Sequence, residues 1–262
     1  MRIHVLGCHG ADQLVGGTTG QVRQESCGFL IDDSVLLDAG TIGTRLTLAE
    51  QRRIRFVLLS HVHFDHIKSL PTLADNLAEA FDEPVIVAGT KPVLQGLKDH
   101  IFNNEVYPNF FELPNRQRPI LQTQILEPGK PVTLGHLEII PIVVNHTVPT
   151  VGYVVKDQQA ALLYSGDTYV TEEIWSVGRT LPQLKAAFIE SSFPNKLADL
   201  AKQTKHLTPS LLAKEWEKLN TDQVPAYAYH LKPPYKDQLV CELRELQLPG
   251  LTVLEEGQTL TI

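Results

Sequence analysis

The sequence predicts an α/β protein in which two mixed β-sheets pack together with helices outside. Three observations predict it. Short apolar runs alternate with amphipathic stretches along all 262 residues, the pattern of strands interleaved with helices. Several neighbouring runs lie close enough to be hairpins, which argues against a purely parallel doubly wound sheet. Histidines and aspartates also recur at the ends of apolar runs, where strand-end side chains converge on one rim of a sandwich.

Ile3–Leu6, Cys27–Ile31 and Val35–Asp38 read as early strands, with Asp32-Asp33 as the turn between the last two. Arg55–Ser60 is a short buried strand that delivers His61 at its end. A helix is expected over roughly Asp65 to Phe81, with Leu70, Leu73, Leu77 and Phe81 at helical spacing. The strand Pro84–Ala88 and a helix from about Lys91 to Phe102 follow. Residues 103–119, rich in Asn, Pro and aromatics and without a clean period, read as a long loop or lid. Hairpin strands come next: Val132–Val144, split at Leu134-Gly135-His136, then Val151–Val155 with Ala160–Ser165. Ala187–Glu190 reads as a strand and Lys196–Lys202 as a short helix. Thr208 and Pro209 supply the N-cap and first residue of a helix to about Leu219. Ala226–His230 is a strand, Lys236–Leu246 a helix and Leu251–Ile262 a final β segment. With no repeat or linker, 1–262 is expected to be a single domain.

Composition narrows the function. No apolar run reaches the ~18 residues of a membrane span, and the start, Met1–Gly7, reads as a strand rather than a secretory signal. Three widely spaced cysteines, Cys8, Cys27 and Cys241, do not make a disulfide framework, so a reducing cytoplasm is the expected setting. A formal net charge of −7 makes the chain a poor generic binder of nucleic acid or anionic membrane. It does not exclude an anionic substrate, because bound dications would dominate the local field.

The chemistry concentrates in Ser60-His61-Val62-His63-Phe64-Asp65-His66. Alternate residues of an extended segment point the same way, so His61 and His63 can grip one ion. The chain then turns, and Asp65 with His66 can face a neighbouring ion. Imidazole with carboxylate suits zinc, and also iron or manganese. The bland reading is a His-rich surface loop, but such a loop need not follow a buried strand or be answered downstream. Three answers exist: His146 after Ile139–Val144, Asp167 in Tyr164-Ser165-Gly166-Asp167-Thr168, and His230 after Tyr227-Ala228-Tyr229. Each alone could be a hydrogen-bonded histidine or a turn aspartate. Together they complete the ligand count of a two-metal site.

This string resembles the His-x-His-x-Asp-His signature of the metallo-β-lactamase superfamily, whose later ligands come in the same order. The resemblance spans nearly the whole chain and implies a four-layer αβ/βα sandwich with metals at one edge. It implies His61, His63 and His146 on one metal, Asp65, His66 and His230 on the other, and Asp167 between them. Within the superfamily the chain is most similar to the class II cyclic-nucleotide phosphodiesterases. The matching segments are Leu36–Thr41, Ile67–Pro71, His100–Asn104, Tyr107–Phe110, Phe188–Asn195, His206–Pro209 and His230–Pro233. The chain departs from that family at Phe64, where Leu is usual, at Tyr107, where Trp is usual, and in a first loop less rich in glycine. These departures leave the metal motif whole and bear on nucleotide preference.

The resemblance implies hydrolysis of a 3′,5′-cyclic nucleotide, cAMP or cGMP, to the 5′-monophosphate by a hydroxide between two divalent ions. Zinc is the leading fit. Asp65, Glu190 and His206 are the expected catalytic residues. A Glu and a His of the related tRNA 3′-processing nucleases resemble the Glu190–His206 pair, and the resemblance places His206 beside Asp65. Ordinary roles for that pair are a strand-end charge and a solvated loop histidine. Asn103, Asn104, Tyr107, Phe110, Thr168 and Lys232 are expected at the substrate. His4, His9, His100 and His136 read as structural or surface residues, and Cys8 and Cys27 as core or loop residues. The alternatives are an RNase Z-like tRNA endonuclease, for which no basic arm is seen, a thioester or lactam hydrolase, and a nucleotide-binding member without catalysis, for which a ligand should be missing. A small-molecule partner is expected, a homodimer is left open, and no membrane partner is expected.

Overall fold

In the computed structural model, which describes residues 1–17, 20–79, 82–220 and 223–262, two seven-stranded mixed sheets pack face to face. The first has the order β16 (Thr259–Thr261), β1 (Arg2–Gly7), β4 (Gly28–Ile31), β5 (Val35–Leu37), β6 (Phe56–Leu58), β7 (Val85–Gly89), β8 (Leu121–Ile125). The second has the order β15 (Leu251–Val253), β14 (Ala226–Tyr229), β13 (Leu184–Glu190), β12 (Ala161–Tyr164), β11 (Val151–Lys156), β10 (Leu137–Val143), β9 (Val132–Leu134). A separate hairpin joins β2 (Gln13–Gly17) to β3 (Gly20–Gln24). The helices are α1 (Leu48–Gln51), α2 (Phe64–Ile67), α3 (Leu70–Leu77), α4 (Lys91–His100), α5 (Glu173–Gly178), α6 (Ala198–Thr204), α7 (Pro209–Glu217) and α8 (Lys236–Glu245).

The period of two in each strand sorts the core into layers. Ile3, Val5, Phe29, Ile31 and Leu37 face Tyr153, Val155, Leu162, Tyr164 and Phe188 across the sandwich. Leu36, Val57 and Leu59 turn outward and meet Leu70, Leu73, Leu77 and Leu94 of α3 and α4. On the far side Leu163, Ile189 and Ala228 meet Trp175, Leu212, Trp216 and Leu239 of α5, α7 and α8. The result is the four-layer order helix, sheet, sheet, helix. Tyr153 ties the sheets together by donating its hydroxyl to the Leu59 carbonyl at 2.7 Å.

Two expected elements are corrected. The helix expected over 65–81 is two helices, α2 and α3, parted at Lys68-Ser69. Pro71 has no N–H and its ring would clash with the carbonyl four residues back, at Ile67. Ser69 N–H instead donates to Ala39 O at 2.9 Å. The Phe81 end of that expected helix lies outside the described residues. The single final β segment expected over 251–262 is two strands in different sheets. β15 continues the second sheet parallel to β14, and β16 crosses to pair antiparallel with β1. The turn between them holds Gly257 at φ 81°, a left-handed conformation that glycine adopts without steric cost.

β8, the β2–β3 hairpin, α1 and α5 were not expected. β8 is an edge strand whose middle residues, Gln122, Thr123 and Gln124, are polar and mostly solvent-facing, so it shows no apolar alternation. α1 and α5 span 4 and 6 residues, too short to show a helical period. Residues 103–120 carry no helix or strand, as the loop expectation required. Among the described residues no helix is long and apolar enough to cross a membrane.

Candidate metal centre

The parallel strands β5, β6, β12, β13 and β14 place their C-terminal ends on one rim. That is where open α/β sheets hold ligands. Leu37 leads to Asp38, Leu58 to Ser60-His61, Tyr164 to Asp167, and Tyr229 to His230, while β13 ends in Glu190 itself. Asp38 and His230 are non-glycine residues at positive φ, 55° and 62°, a conformation that costs energy and concentrates at functional sites. Gly166 completes the turn before Asp167 at φ 59°, where an added Cβ would lie 2.8 Å from Val151 O.

Hydrogen bonds behind the histidines set which ring nitrogen faces the cluster. Ser60 Oγ donates to Asp38 Oδ2 at 2.7 Å and so accepts from His61 Nδ1 at 2.9 Å. His146 Nδ1 donates to Lys205 O at 3.0 Å, and His66 Nδ1 to Asp38 Oδ2 at 2.8 Å. Ser192 Oγ donates to Glu190 Oε2 at 2.8 Å and accepts from His230 Nδ1 at 2.8 Å. His61, His146 and His230 therefore turn a bare Nε2 lone pair inward, the orientation that back-side partners impose on metal-binding histidines, while His66 turns its Nε2 toward Asp167 Oδ2.

Those lone pairs converge. One donor atom each from His61, His63, His146 and Asp167 lie within 4.8 Å of one another, with His63 Nδ1 3.1 Å from His146 Nε2. On the other side His66 Nε2 and His230 Nε2 are 3.2 Å apart, and each is 3.3 or 3.2 Å from Asp167 Oδ2. Asp65 Oδ2 closes this side, 3.3 Å from His230 Nε2 and 3.9 Å from His66 Nε2. Ring nitrogens this close repel unless a proton or a metal cation lies between them. His61 Nε2 and Asp167 Oδ1 are moreover buried without a hydrogen-bond partner, which is costly for an apolar surrounding. This donor set fits divalent metal, with Asp167 bordering both groups.

The electrostatics agree. Burial, then the charge of His66, holds His61 well below the usual imidazole range. Burial, then His146, lowers His63 to about 4. Burial also lowers His146. These three rings stay neutral, as ligands must; burial would lower His66 as well, but Asp167, Asp38 and Asp65 raise it. Burial alone would raise Asp167, but His230 and His66 hold it well below the carboxylate range.

Beside this cluster lies a second polar group. Glu190 is fully buried and accepts four donors: Thr168 N at 2.9 Å, His206 Nδ1 at 2.7 Å, Ser192 Oγ at 2.8 Å and Leu207 N at 3.3 Å. Burial would lower His206, but the charge and hydrogen bond of Glu190 raise it. Its ring sits 5.0 Å from that of His146 and 5.3 Å from that of His230. It stands next to Asp65 through His230, whose Nε2 lies 3.3 Å from Asp65 Oδ2; His66 and Lys232 also approach that carboxylate.

The expected substrate residues divide. Lys232 reaches the cluster, its Nζ 3.9 Å from Asp65 Oδ2 and 2.8 Å from Gly10 O. Thr168 is buried, with its hydroxyl held between Asn145 N and Tyr169 O. Asn103 accepts from the Glu105 and Val106 amides, and Asn104 from the Asn109 amide, so both amide oxygens shape their own loop. Phe110 packs into the outer core at 5% exposure, and Tyr107 is half-buried beside it.

Sequence reasoning missed Asp38, Ser60, Ser192 and Lys205 as supports. The available signal was a polar residue closing an apolar run, as in Val35–Asp38. Among the histidines expected to be structural, His9 pairs with Glu256 at 2.5 Å, and His136 with Asp32 at 2.9 Å. Cys8 and Cys27 are buried in the inter-sheet core. Cys27 also brings its thiol within 4.8 Å of donor atoms of His66 and His230.

The family model for the β-lactamase superfamily domain matches residues 33–229. The chain belongs to the β-lactamase superfamily. The architecture of this superfamily member is the metallo-β-lactamase fold. Unliganded yeast PDE1 aligns with it over 100% of this chain and 99% of that one, with a TM-score of 0.80 and 20% identity. A probable 3′,5′-cyclic-nucleotide phosphodiesterase of Yersinia pestis is 25% identical over 217 residues, 74% of this chain and 61% of that protein. A ribonuclease Z of Ignicoccus hospitalis is 33% identical over 122 residues, 45% of this chain and 37% of that one. The superfamily member thus spans less than two thirds of either curated relative.

Proposed function

We propose that the chain hydrolyses a 3′,5′-cyclic nucleotide, cAMP or cGMP, to its 5′-monophosphate, using two divalent ions. Zinc is the leading fit, with manganese or iron as alternatives. The observation that carries phosphodiester cleavage is the buried Glu190–His206 pair, 2.7 Å apart and set against two of the cluster's histidines, and the likeness to a probable 3′,5′-cyclic-nucleotide phosphodiesterase over 74% of the chain supports the cyclic substrate. His61, His63 and His146 would hold one ion and Asp65, His66 and His230 the other, with Asp167 shared. When bound, such a pair of ions supplies positive charge for phosphoryl oxygens and a water acidified toward neutrality.

The rest falls to the chain. Water gives up a proton to solvent as its oxygen bonds to phosphorus and the P–O3′ bond breaks, so O3′ leaves as an alkoxide unless it gains a proton. His206 carries that proton. Glu190 occupies its Nδ1 and favours its charged form, which leaves Nε2 for the departing oxygen. Asp65 and Asp167 orient the reacting centre through the histidines they touch. Lys232, half-buried at the rim, meets the phosphate charge. Residues 103–119 act as the lid, with Tyr107 as its substrate-facing ring and Asn103 and Asn104 holding its shape.

A second reading, tRNA 3′-end cleavage, has the stretch shared with the archaeal ribonuclease Z in its favour. A net charge of −7 weighs against it, because RNA binding draws most of its affinity from phosphate contacts. Metal-loaded protein should be assayed on cAMP, cGMP, 2′,3′-cyclic nucleotides, bis-p-nitrophenyl phosphate and pre-tRNA. The proposal requires 5′-AMP from cAMP. Trimming of pre-tRNA with cyclic nucleotides untouched would replace it with the second reading.

A further inference from the structure

Phe64 is the most exposed large apolar side chain among the described residues, at 66%. It opens α2 between His63 and Asp65, two residues that face the metal cluster. Its apolar neighbours in the same segment are used in folding: Val62 packs against Gly96 and the outer core, and Ile67 is buried. Leaving a phenyl ring in water forfeits the transfer free energy that folding normally captures. Nothing in the packing of α2 calls for a ring at this position.

The surroundings suggest what the ring is for. Lys68, four residues on and so on the same face of the helical segment, is ion-paired to Asp12. Asp12 is fixed in turn by the Ser26 amide and hydroxyl, both at 2.9 Å. β2 starts at the next residue and exposes Leu14 and Val15 at 55% and 38%. On this side of the rim the exposed ring therefore shares a helical face with a neutralised ion pair. Lys232 stands against Asp65, held by Gly10 O. Asp65 has an exposed ring next to it in the chain and an ammonium against its carboxylate.

We propose that Phe64 is the platform on which the nucleobase stacks, while Lys232 takes the phosphate. This rests on the cyclic-nucleotide reading and deepens it. Stacking uses the π-face that every base has and reads no exocyclic group. The site should therefore favour purines over pyrimidines by area, and treat adenine and guanine alike.

The test compares kcat/KM for cAMP, cGMP, cCMP and the abasic methyl riboside 3′,5′-cyclic phosphate in wild type, Phe64→Trp and Phe64→Ala. Equal metal content and Tm across the three proteins guard against a folding artefact. In wild type the two purines should lie within about threefold of each other and above cCMP, as expected of stacking without edge readout. Phe64→Ala should lower the ratio of cAMP to abasic kcat/KM about tenfold, through KM, and Phe64→Trp should keep it. An unchanged ratio in Phe64→Ala overturns the platform. So does a strong preference between adenine and guanine. Wild-type protein that cleaves bis-p-nitrophenyl phosphate but no cyclic nucleotide overturns the parent reading instead, and the platform with it.

Discussion

The two halves of the metal cluster are built differently. In the His61, His63 and His146 half, His61 reaches a carboxylate, Asp38, only through Ser60 Oγ, and His146 rests on the Lys205 carbonyl. Burial lowers the pKa of all three. In the His66 and His230 half, the rings are wired to carboxylates: His66 directly to Asp38, and His230 through Ser192 to Glu190, which also holds His206. Burial would lower His66, but Asp167, Asp38 and Asp65 raise it well above the usual imidazole range. Each half gathers imidazole and carboxylate donors of the kind that suit a divalent ion. Only one is joined by hydrogen bonds to a group that can carry a proton, so losing metal and losing proton transfer should be separable defects.

The largest expected effect comes from the one residue that belongs to both halves. Asp167→Ala should lose nearly all turnover and weaken both ions, as measured by kcat and metal content together. Near-normal kcat in a fully metallated variant would break the shared role.

His206→Ala separates proton transfer from metal. It should keep both ions and lower kcat on cAMP by ~10²–10⁴, the scale of general acid–base catalysis. The deficit should shrink for a p-nitrophenyl diester, whose leaving group scarcely needs a proton. Equal deficits on good and poor leaving groups would reduce His206 to a buttress for His146 and His230.

Asp38→Asn sharpens the contrast between halves. It removes the carboxylate under His66 directly and reaches His61 only through Ser60. Metal affinity at the His66 half should fall by ~10–100-fold, seen in chelator competition as one ion leaving early. Earlier loss from the His61 half would invert the comparison. Smallest is Tyr107→Ala, which should raise KM for cyclic nucleotides by a few fold, the scale of one partly exposed ring contact. An equal rise on a small chromogenic diester would make the loop structural.

The sandwich and the cluster were legible because both follow from short-range rules. An apolar run with a period of two reports its sheet, and a histidine or aspartate at its end reports the rim. Three kinds of feature escaped. Edge elements such as β8 have no apolar face to show. A boundary such as Lys68-Ser69 depends on Pro71 breaking a periodic run that continues past it. Supports such as Asp38, Ser192 and Lys205 act through contacts far along the chain: Asp38 meets the Tyr164 hydroxyl at 2.6 Å across 126 positions. The lid reading lost detail for a similar reason. The asparagines that look free in sequence are folded back on their own loop, and Phe110 belongs to the core.

The most direct test of the two-ion account is elemental analysis of the purified, active protein alongside His230→Ala and His146→Ala variants. Two divalent ions per chain are expected in the wild type and about one in each variant, with turnover lost in both. A stable content of one ion per chain in fully active wild-type protein would contradict it.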